Sequence, residues 1–205
     1  TQQPYIGPML DVPREKLLLF RPSQHKNNPE GRSVLRNAYR SYYMVKRLEE
    51  LAWILRGEHQ RIHLAKPADL LEAWCESYSY RQNAIAAYFS PERITRRLMA
   101  EIARLAQAEG RRYAFTLHSG AALVAPNIRF PVIHCYLEGP LDPFARALGL
   151  RPGEGEGNVH LLTPYDQGVF YSPLEKSGLS VVCLPQLYAD LYRYERRGRE
   201  QAEYL

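Results

Sequence analysis

Ser41-Tyr42-Tyr43-Met44-Val45-Lys46-Arg47-Leu48-Glu49-Glu50-Leu51 is followed closely by Trp53-Ile54-Leu55-Arg56 and Arg61-Ile62-His63-Leu64. Met44, Leu48 and Leu51 recur at i, i+4 and i+7, the spacing of one helix face. Tyr42, Tyr43, Lys46 and Arg47 fall off the centre of that face. The two apolar runs flank Gly57-Glu58-His59-Gln60, a Gly-containing loop, and together they read as a hairpin. A shorter helix-like piece, Ser33-Val34-Leu35-Arg36-Asn37-Ala38, comes before them. Two helices and then a hairpin is the order of a winged helix-turn-helix.

From Arg32 to Pro67 the basic residues Arg32, Arg36, Arg40, Lys46, Arg47, Arg56, Arg61 and Lys66 outnumber Glu49, Glu50 and Glu58. A surface of that sign attracts phosphate backbone without reading sequence. Double-stranded DNA is the expected partner. Arg36, Arg40, Tyr42, Tyr43, Lys46 and Arg47 are the candidate contacts of the helices, and Arg56, His59 and Arg61 those of the wing. Phosphate contacts position a protein and base contacts specify its site. Arg47 has the chemistry to read guanine, though nothing identifies a base contact. The plainer reading is a set of solvated charges on a winged helix used for protein contact.

Outward from the head, residues 1–12 read as an extended polar arm, and Pro13 to Phe20 as a short helix. Pro67 starts a helix through Leu70, Leu71 and Trp74. Ala84 to Phe89 reads as a strand. Ser90-Pro91-Glu92 is the opening of a helix with Ser90 as its cap. Ile94, Leu98, Ile102 and Leu105 would line its core face, and Gly110 would close it. Arg93, Arg96, Arg97 and Arg104 fall largely elsewhere and read as a solvated stripe.

Beyond Gly110 the rhythm becomes strand, short helix, strand. Strands are expected at Tyr113–Leu117, Pro131–Leu137, Asn158–Leu162 and Leu179–Leu184. Helices are expected at Ser119–Ala125, Pro143–Leu148, Pro185–Tyr194 and from about Arg199. Gly153 to Gly157 reads as a flexible loop. The predicted fold class is α+β, a winged helix-turn-helix head followed by a mixed α/β body. The predicted division is residues 1–66 for arm and head, 67–90 for a connecting helix and strand, and 91–205 for the body.

A chain of 205 residues with 45% hydrophobic residues can bury a real core. Its net charge of +5 permits a nucleic-acid partner without demanding one. Fifteen tyrosines against six phenylalanines favour half-buried surfaces and interfaces. Cys75, Cys135 and Cys183 are odd in number and far apart, which argues against a disulfide framework or a zinc site. No run of residues approaches a membrane helix. The first residues, Thr1-Gln2-Gln3-Pro4, have no signal-peptide pattern and no initiator Met, and a cytoplasmic location is expected.

An enzyme needs a constellation of groups. Ser119-Gly120-Ala121-Ala122 after a strand suggests a nucleotidyltransferase entry. That chemistry needs two carboxylates on the next strand to hold Mg²⁺. The strand from Pro131 offers Glu138 alone, at its end, so the turn reads as structural. No His-Glu-x-x-His, P-loop or Gly-x-Ser-x-Gly occurs. His118, His134 and His160 lack metal spacing. No catalysis, no metal and no cofactor are expected.

Asn158-Val159-His160-Leu161-Leu162-Thr163-Pro164-Tyr165-Asp166-Gln167-Gly168-Val169-Phe170-Tyr171 and Leu184-Pro185-Gln186-Leu187-Tyr188-Ala189-Asp190-Leu191, with Arg197-Gly198-Arg199-Glu200-Gln201-Ala202-Glu203 after them, resemble the AbiEi-type antitoxin family. Ala65 to Trp74 resembles that family's link from wing to body, and Tyr113 to Ala122 its central strand-turn-helix. The resemblance covers roughly residues 32 to 205. It implies a transcriptional regulator of a type IV toxin–antitoxin pair. Its winged-helix head would occupy its own promoter, and its body would be associated with neutralising a nucleotidyltransferase-like toxin. Helix-turn-helix dimers bind half-sites about 34 Å apart, so a homodimer is an expected partner state, though no sequence element specifies it. The alternative is a non-catalytic interaction module whose winged helix contacts a partner or a second copy. A divergent nucleotidyltransferase ranks third.

Overall fold

The computed structural model describes residues 42–58, 61–125, 130–153, 157–195 and 197–205. The chain divides into two compact units between Ala73 and Trp74.

In the first unit residues 42–50 are helical (α1). The helix ends on Ala52, whose φ of +54° lies in the left-handed region. Trp53 N–H bonds back to Leu48 O at 3.0 Å and Ala52 N–H to Glu49 O at 2.9 Å. This is the Schellman arrangement, with alanine where glycine is the usual residue. Strands Ile54–Arg56 (β1) and Ile62–Leu64 (β2) pair antiparallel, with Leu55 opposite His63. The predicted hairpin is therefore present, each strand trimmed to three residues. Ile54 is buried, and Trp53 O accepts from Ala65 N at 2.8 Å, which closes the hairpin's base.

The expected core face of α1 needs correction. Met44 and Leu51 are exposed, whereas Val45, Leu48 and Glu49 are half-buried. The inward stripe is turned by about one residue, at i, i+3 and i+4. Glu49 belongs to it because its carboxylate receives Arg56 from β1. The expected first helix, Ser33–Ala38, lies outside the described residues, as do Arg36, Arg40 and His59.

Helix α2 (Pro67–Ser77) begins at its proline as expected. The second unit is built on one seven-stranded mixed sheet. Its strands are β3 (Ala84–Phe89), β4 (Tyr113–Thr116), β5 (Ile133–Leu137), β6 (Arg151–Pro152), β7 (Val159–Thr163), β8 (Leu174–Lys176) and β9 (Leu179–Val181). Their order is β6-β3-β7-β5-β4-β9-β8. The β5–β7 and β4–β9 pairs are parallel and the others antiparallel.

Alternation along the central strands makes two cores. Phe115, Cys135 and Leu161 stand side by side across β4, β5 and β7 and face the helices α3 (Thr95–Ala108) and α5 (Leu141–Ala147). Ala114, Tyr136 and Leu162 face the other way. There they meet α4 (Leu117–Val124), α6 (Leu184–Tyr192) and α7 (Gly198–Glu203). The architecture of this unit is α+β, as the sequence predicts.

Helix α3 buries Leu98, Met99, Ile102 and Ala103, so its predicted face holds in the middle. Its ending holds too. Arg111 N–H reaches Ala106 O at 2.8 Å, with Gly110 at φ +64°. Its start does not. The helix begins at Thr95, and Ile94 is exposed. Ser90 is buried in a turn whose Oγ accepts from Glu92 N at 3.2 Å, while Asn158 clasps its backbone at 2.8 and 2.9 Å. The capping chemistry at Ser90 is used by that turn. No helix among the described residues is long and apolar enough to cross a membrane.

The elbow between α6 and α7 is tightly made. A Cβ on Gly198 would lie 2.4 Å from Leu191 O and 2.5 Å from the Tyr194 Cβ, both parts of α6 and its exit that cannot simply swing away. Gly198→Ala is therefore expected to destabilise by about 1–3 kcal/mol, the usual cost of overpacking. Urea denaturation checks this, and an unchanged midpoint would mean that the elbow opens freely. Arg197 and Arg199 lie exposed around the start of α7, in surface ion pairs. Arg197 pairs with Glu200; Arg199 pairs with Glu203 and lies over the Tyr192 ring.

Candidate nucleic-acid interface and body cleft

In the first unit the described candidates lie on the surface. Tyr42, Tyr43, Lys46 and Arg47 are exposed along α1, with Lys46 one turn beyond Tyr42 and Tyr43. Arg56 and Arg61 are exposed on the hairpin. Their freedom differs. Arg56 holds Glu49 through two of its guanidinium nitrogens, tying hairpin to helix. Arg47 reaches Glu50 at 3.3 Å across an exposed pair of little strength. Lys46 and Arg61 make no ion pair with a described residue. The Tyr42 and Tyr43 rings meet edge-on at 5.7 Å.

The second unit holds two polar assemblies. The first is centred on Asp190, which is fully buried on α6. Its Oδ1 accepts from Tyr78 Oη at 2.6 Å, Gln186 Nε2 at 2.9 Å and Tyr136 Oη at 3.1 Å. Its Oδ2 accepts from Thr116 Oγ1. Asn83 joins through Tyr136 Oη at 3.2 Å and holds Tyr165 N at 3.0 Å. Four donors satisfy the carboxylate, and among the described residues no cation pairs with it. Burial pushes Asp190 up to about 6, against the lowering effect of those hydrogen bonds. Burial and the neighbouring carboxylate push the Tyr78 and Tyr136 phenols up as well. Every group of the set is occupied with another, which suits a structural knot between α6, β4, β5 and the residues after α2.

The second assembly is a histidine cluster. The parallel pairing of β5 and β7 sets His134 beside His160, with rings 4.9 Å apart. Tyr194, just after α6, lies 5.5 Å from His134 and 5.0 Å from His118. His118 and His134 are buried. Beside them opens a cleft of about 530 Å³, lined by Tyr80, Arg81, Phe89, His134, His160, Tyr194 and Glu195 among others. Among the described residues no group of histidine, cysteine and carboxylate side chains could hold a metal.

The Ser119 turn is stitched into the sheet. Ser119 Oγ lies 2.7 Å from Thr116 O and 2.9 Å from His134 O, and accepts from His134 N at 3.0 Å. Gly120 passes so close to Phe115 O that a Cβ would lie 2.8 Å from it. Glu138 is held by the Arg112 fork at 2.7 and 3.0 Å, whose hydrogen bonds lower its pKa.

Against known families, the model described as transcriptional regulator, AbiEi antitoxin, type IV toxin–antitoxin system, matches residues 63–205. The chain belongs to the AbiEi antitoxin family. No significant match exists among curated proteins or among solved structures. Within this AbiEi family member, parts of the segments that carry the resemblance are built into the core. From Pro185 to Leu191, Gln186 and Asp190 form the buried knot, while Leu187 and Leu191 fill the core. Gly198 makes the elbow and Ala202 is buried against α6's side of the sheet. Sequence reasoning marked these segments without seeing why. It did not find Tyr78, Thr116 and Tyr136, whose bond to Asp190 spans 54 to 112 positions.

Proposed function

We propose that this AbiEi family member represses transcription by occupying DNA with its N-terminal unit, a winged helix-turn-helix acting as a homodimer, and that its body serves an antitoxin role against a cognate toxin without catalysis of its own. The carrying observation is the row of Tyr42, Tyr43, Lys46 and Arg47 exposed on a helix directly before a hairpin with exposed Arg61. Charge supports it. Residues 1–73 hold twelve Lys and Arg against eight Asp and Glu, whereas residues 74–205 hold fifteen against fourteen. Within residues 1–73 the excess falls in residues 1–41, with seven against three, while residues 42–73 hold five against five; on α1 and the hairpin it is the placement of Lys46, Arg47 and Arg61, not net charge, that favours phosphate. α1 would enter the major groove, and the hairpin would lie along the backbone.

The family match begins at residue 63, so DNA contact by α1 rests on this exposed row of side chains. Lys46→Ala combined with Arg47→Ala should weaken binding on every sequence, because phosphate contacts carry no sequence information. Gel retardation with several unrelated duplexes measures this. Retardation identical to the parent's would remove α1 from the interface.

A second reading has its own support. Tyr42, Tyr43, Met44 and Leu55 are all exposed by half or more, and aromatic and methionine side chains favour protein interfaces. Under that reading Tyr42→Ala with Tyr43→Ala abolishes self-association or partner capture, while DNA retardation stays as in the parent.

A further inference from the structure

The cleft beside the histidine cluster has no part in the DNA reading. Its position follows from the sheet. On β3, Tyr88 turns into the core under α3 and α5, so Phe89 turns to the opposite face. On that opposite face α4, α6 and α7 pack over β4, β5 and β9, and the buried cluster beneath them takes no residue from β3. Phe89 is consequently 48% exposed and forms part of a concave wall. His160, opposite Ala87, and His134 beside it line the same cleft.

We propose that this cleft binds a small planar aromatic anion, with its ring on Phe89 and Tyr194 and its charged group on Arg81. The volume of about 530 Å³ falls among those of small-molecule sites, about 300–1,000 Å³. The lining combines aromatic surface from Tyr80, Phe89 and Tyr194 with two imidazoles, a composition that stacks flat rings better than it holds flexible chains. Arg81 supplies positive charge at the mouth, where it meets Glu195 at 2.7 Å. That pair is open to solvent, with side chains 58% and 75% exposed. Such pairs are worth about 0–1 kcal/mol, so the Glu195 contact is exchanged for an incoming carboxylate or phosphate at little cost, while the Tyr80 hydroxyl, itself on the cleft wall, also holds the Arg81 side chain. Asn158 also lines the cleft, but both ends of its amide are committed to Ser90, so it does not select the ligand.

The test is isothermal titration of the full chain with two aromatic anions, adenosine 5′-monophosphate and indole-3-acetate. Adenosine and inorganic phosphate are the half-ligands of the monophosphate, and indole and acetate those of indole-3-acetate. At least one aromatic anion should saturate, and each half-ligand should bind it at least about tenfold more weakly, one step of 1.4 kcal/mol. Which of the two saturates distinguishes a phosphate from a carboxylate source. Phe89→Ala and Arg81→Ala lie at exposed positions and should unfold like the parent, yet each should weaken binding about tenfold or more. Absence of saturation by either anion would overturn the proposal. So would binding of adenosine as tight as that of its monophosphate, or binding unchanged in both variants. DNA retardation reads the other unit, so failure here and failure of the repressor reading are separate results.

Discussion

Asp190→Ala is expected to unfold the second unit, or to destabilise it by at least about 3 kcal/mol. Removing the carboxylate leaves Tyr78, Tyr136, Gln186 and Thr116 as buried donors facing a void. Each orphaned polar group costs about 1–3 kcal/mol, partly recovered where Tyr78 and Tyr136 turn to one another. Asp190→Asn should be far milder. Its carbonyl can occupy the place of Oδ1 and accept from Tyr78, Tyr136 and Gln186, while its amide donates to Thr116 Oγ1.

The pH dependence separates the two roles of this carboxylate. An unfolded aspartate releases its proton near 3.8, whereas folded Asp190 holds it up to about 6. The folded state therefore binds the proton more tightly, and this contribution to stability is fully present below about pH 4 and is lost as pH rises through 6. At about 1.4 kcal/mol per tenfold change in proton affinity, the loss is of the order of 3 kcal/mol. Asp190→Asn removes that slope. Urea unfolding of parent and variant at about pH 4.5 and about pH 7 should give curves that diverge. Parallel curves would mean that Asp190 stays ionised throughout and that the hydrogen bonds outweigh burial.

Leu191→Ala carries the second large effect. Leu191 is fully buried on α6 with Leu187, in the core that also holds Val181, Val182 and Ala202. Residues of both helices of the elbow and of the end of β9 share this core with it. The expected cost is about 2–5 kcal/mol. Arg197→Ala, which removes one exposed pair with Glu200, should leave the melting curve where it was. Thermal unfolding of both variants decides the orientation of α6. A parent-like Leu191→Ala beside a collapsed Arg197→Ala would place the core on the other face.

Elements with a local signature were legible in the sequence. Strand β3 falls on Ala84–Phe89 as read, the hairpin flanks its glycine loop, and a helix follows at Pro185 with Leu187 and Leu191 on its buried side. The errors have local causes as well. Ser90 carries the residues of a helix cap, but its backbone is claimed by Asn158, sixty-eight positions away, and the helix starts later. On α1 the apolar triad Met44, Leu48 and Leu51 is outranked by a polar tie, because Arg56 draws Glu49 inward. β6 and β8, of two and three residues, are too short to show a period.

The body site was not legible at all. The knot around Asp190 assembles donors from α6, β4, β5 and the segment after α2, and no spacing within one window announces it. The histidine cluster depends on β5 and β7 lying parallel and in register, a consequence of topology. In sequence His118, His134 and His160 share only the lack of metal spacing, because their neighbourhood is created when those strands meet.

The salt dependence of DNA binding is the most direct test of the function assigned to the first unit. Affinity of the full chain for a duplex, measured by fluorescence anisotropy across a salt series, should fall linearly on a log–log plot. Each phosphate contact contributes about 0.9 to the slope. The Lys46→Ala, Arg47→Ala variant should bind more weakly and give a slope shallower by roughly two contacts, about 1.8. An affinity insensitive to salt, or a variant whose slope matches the parent's, would contradict a head that grips DNA through α1.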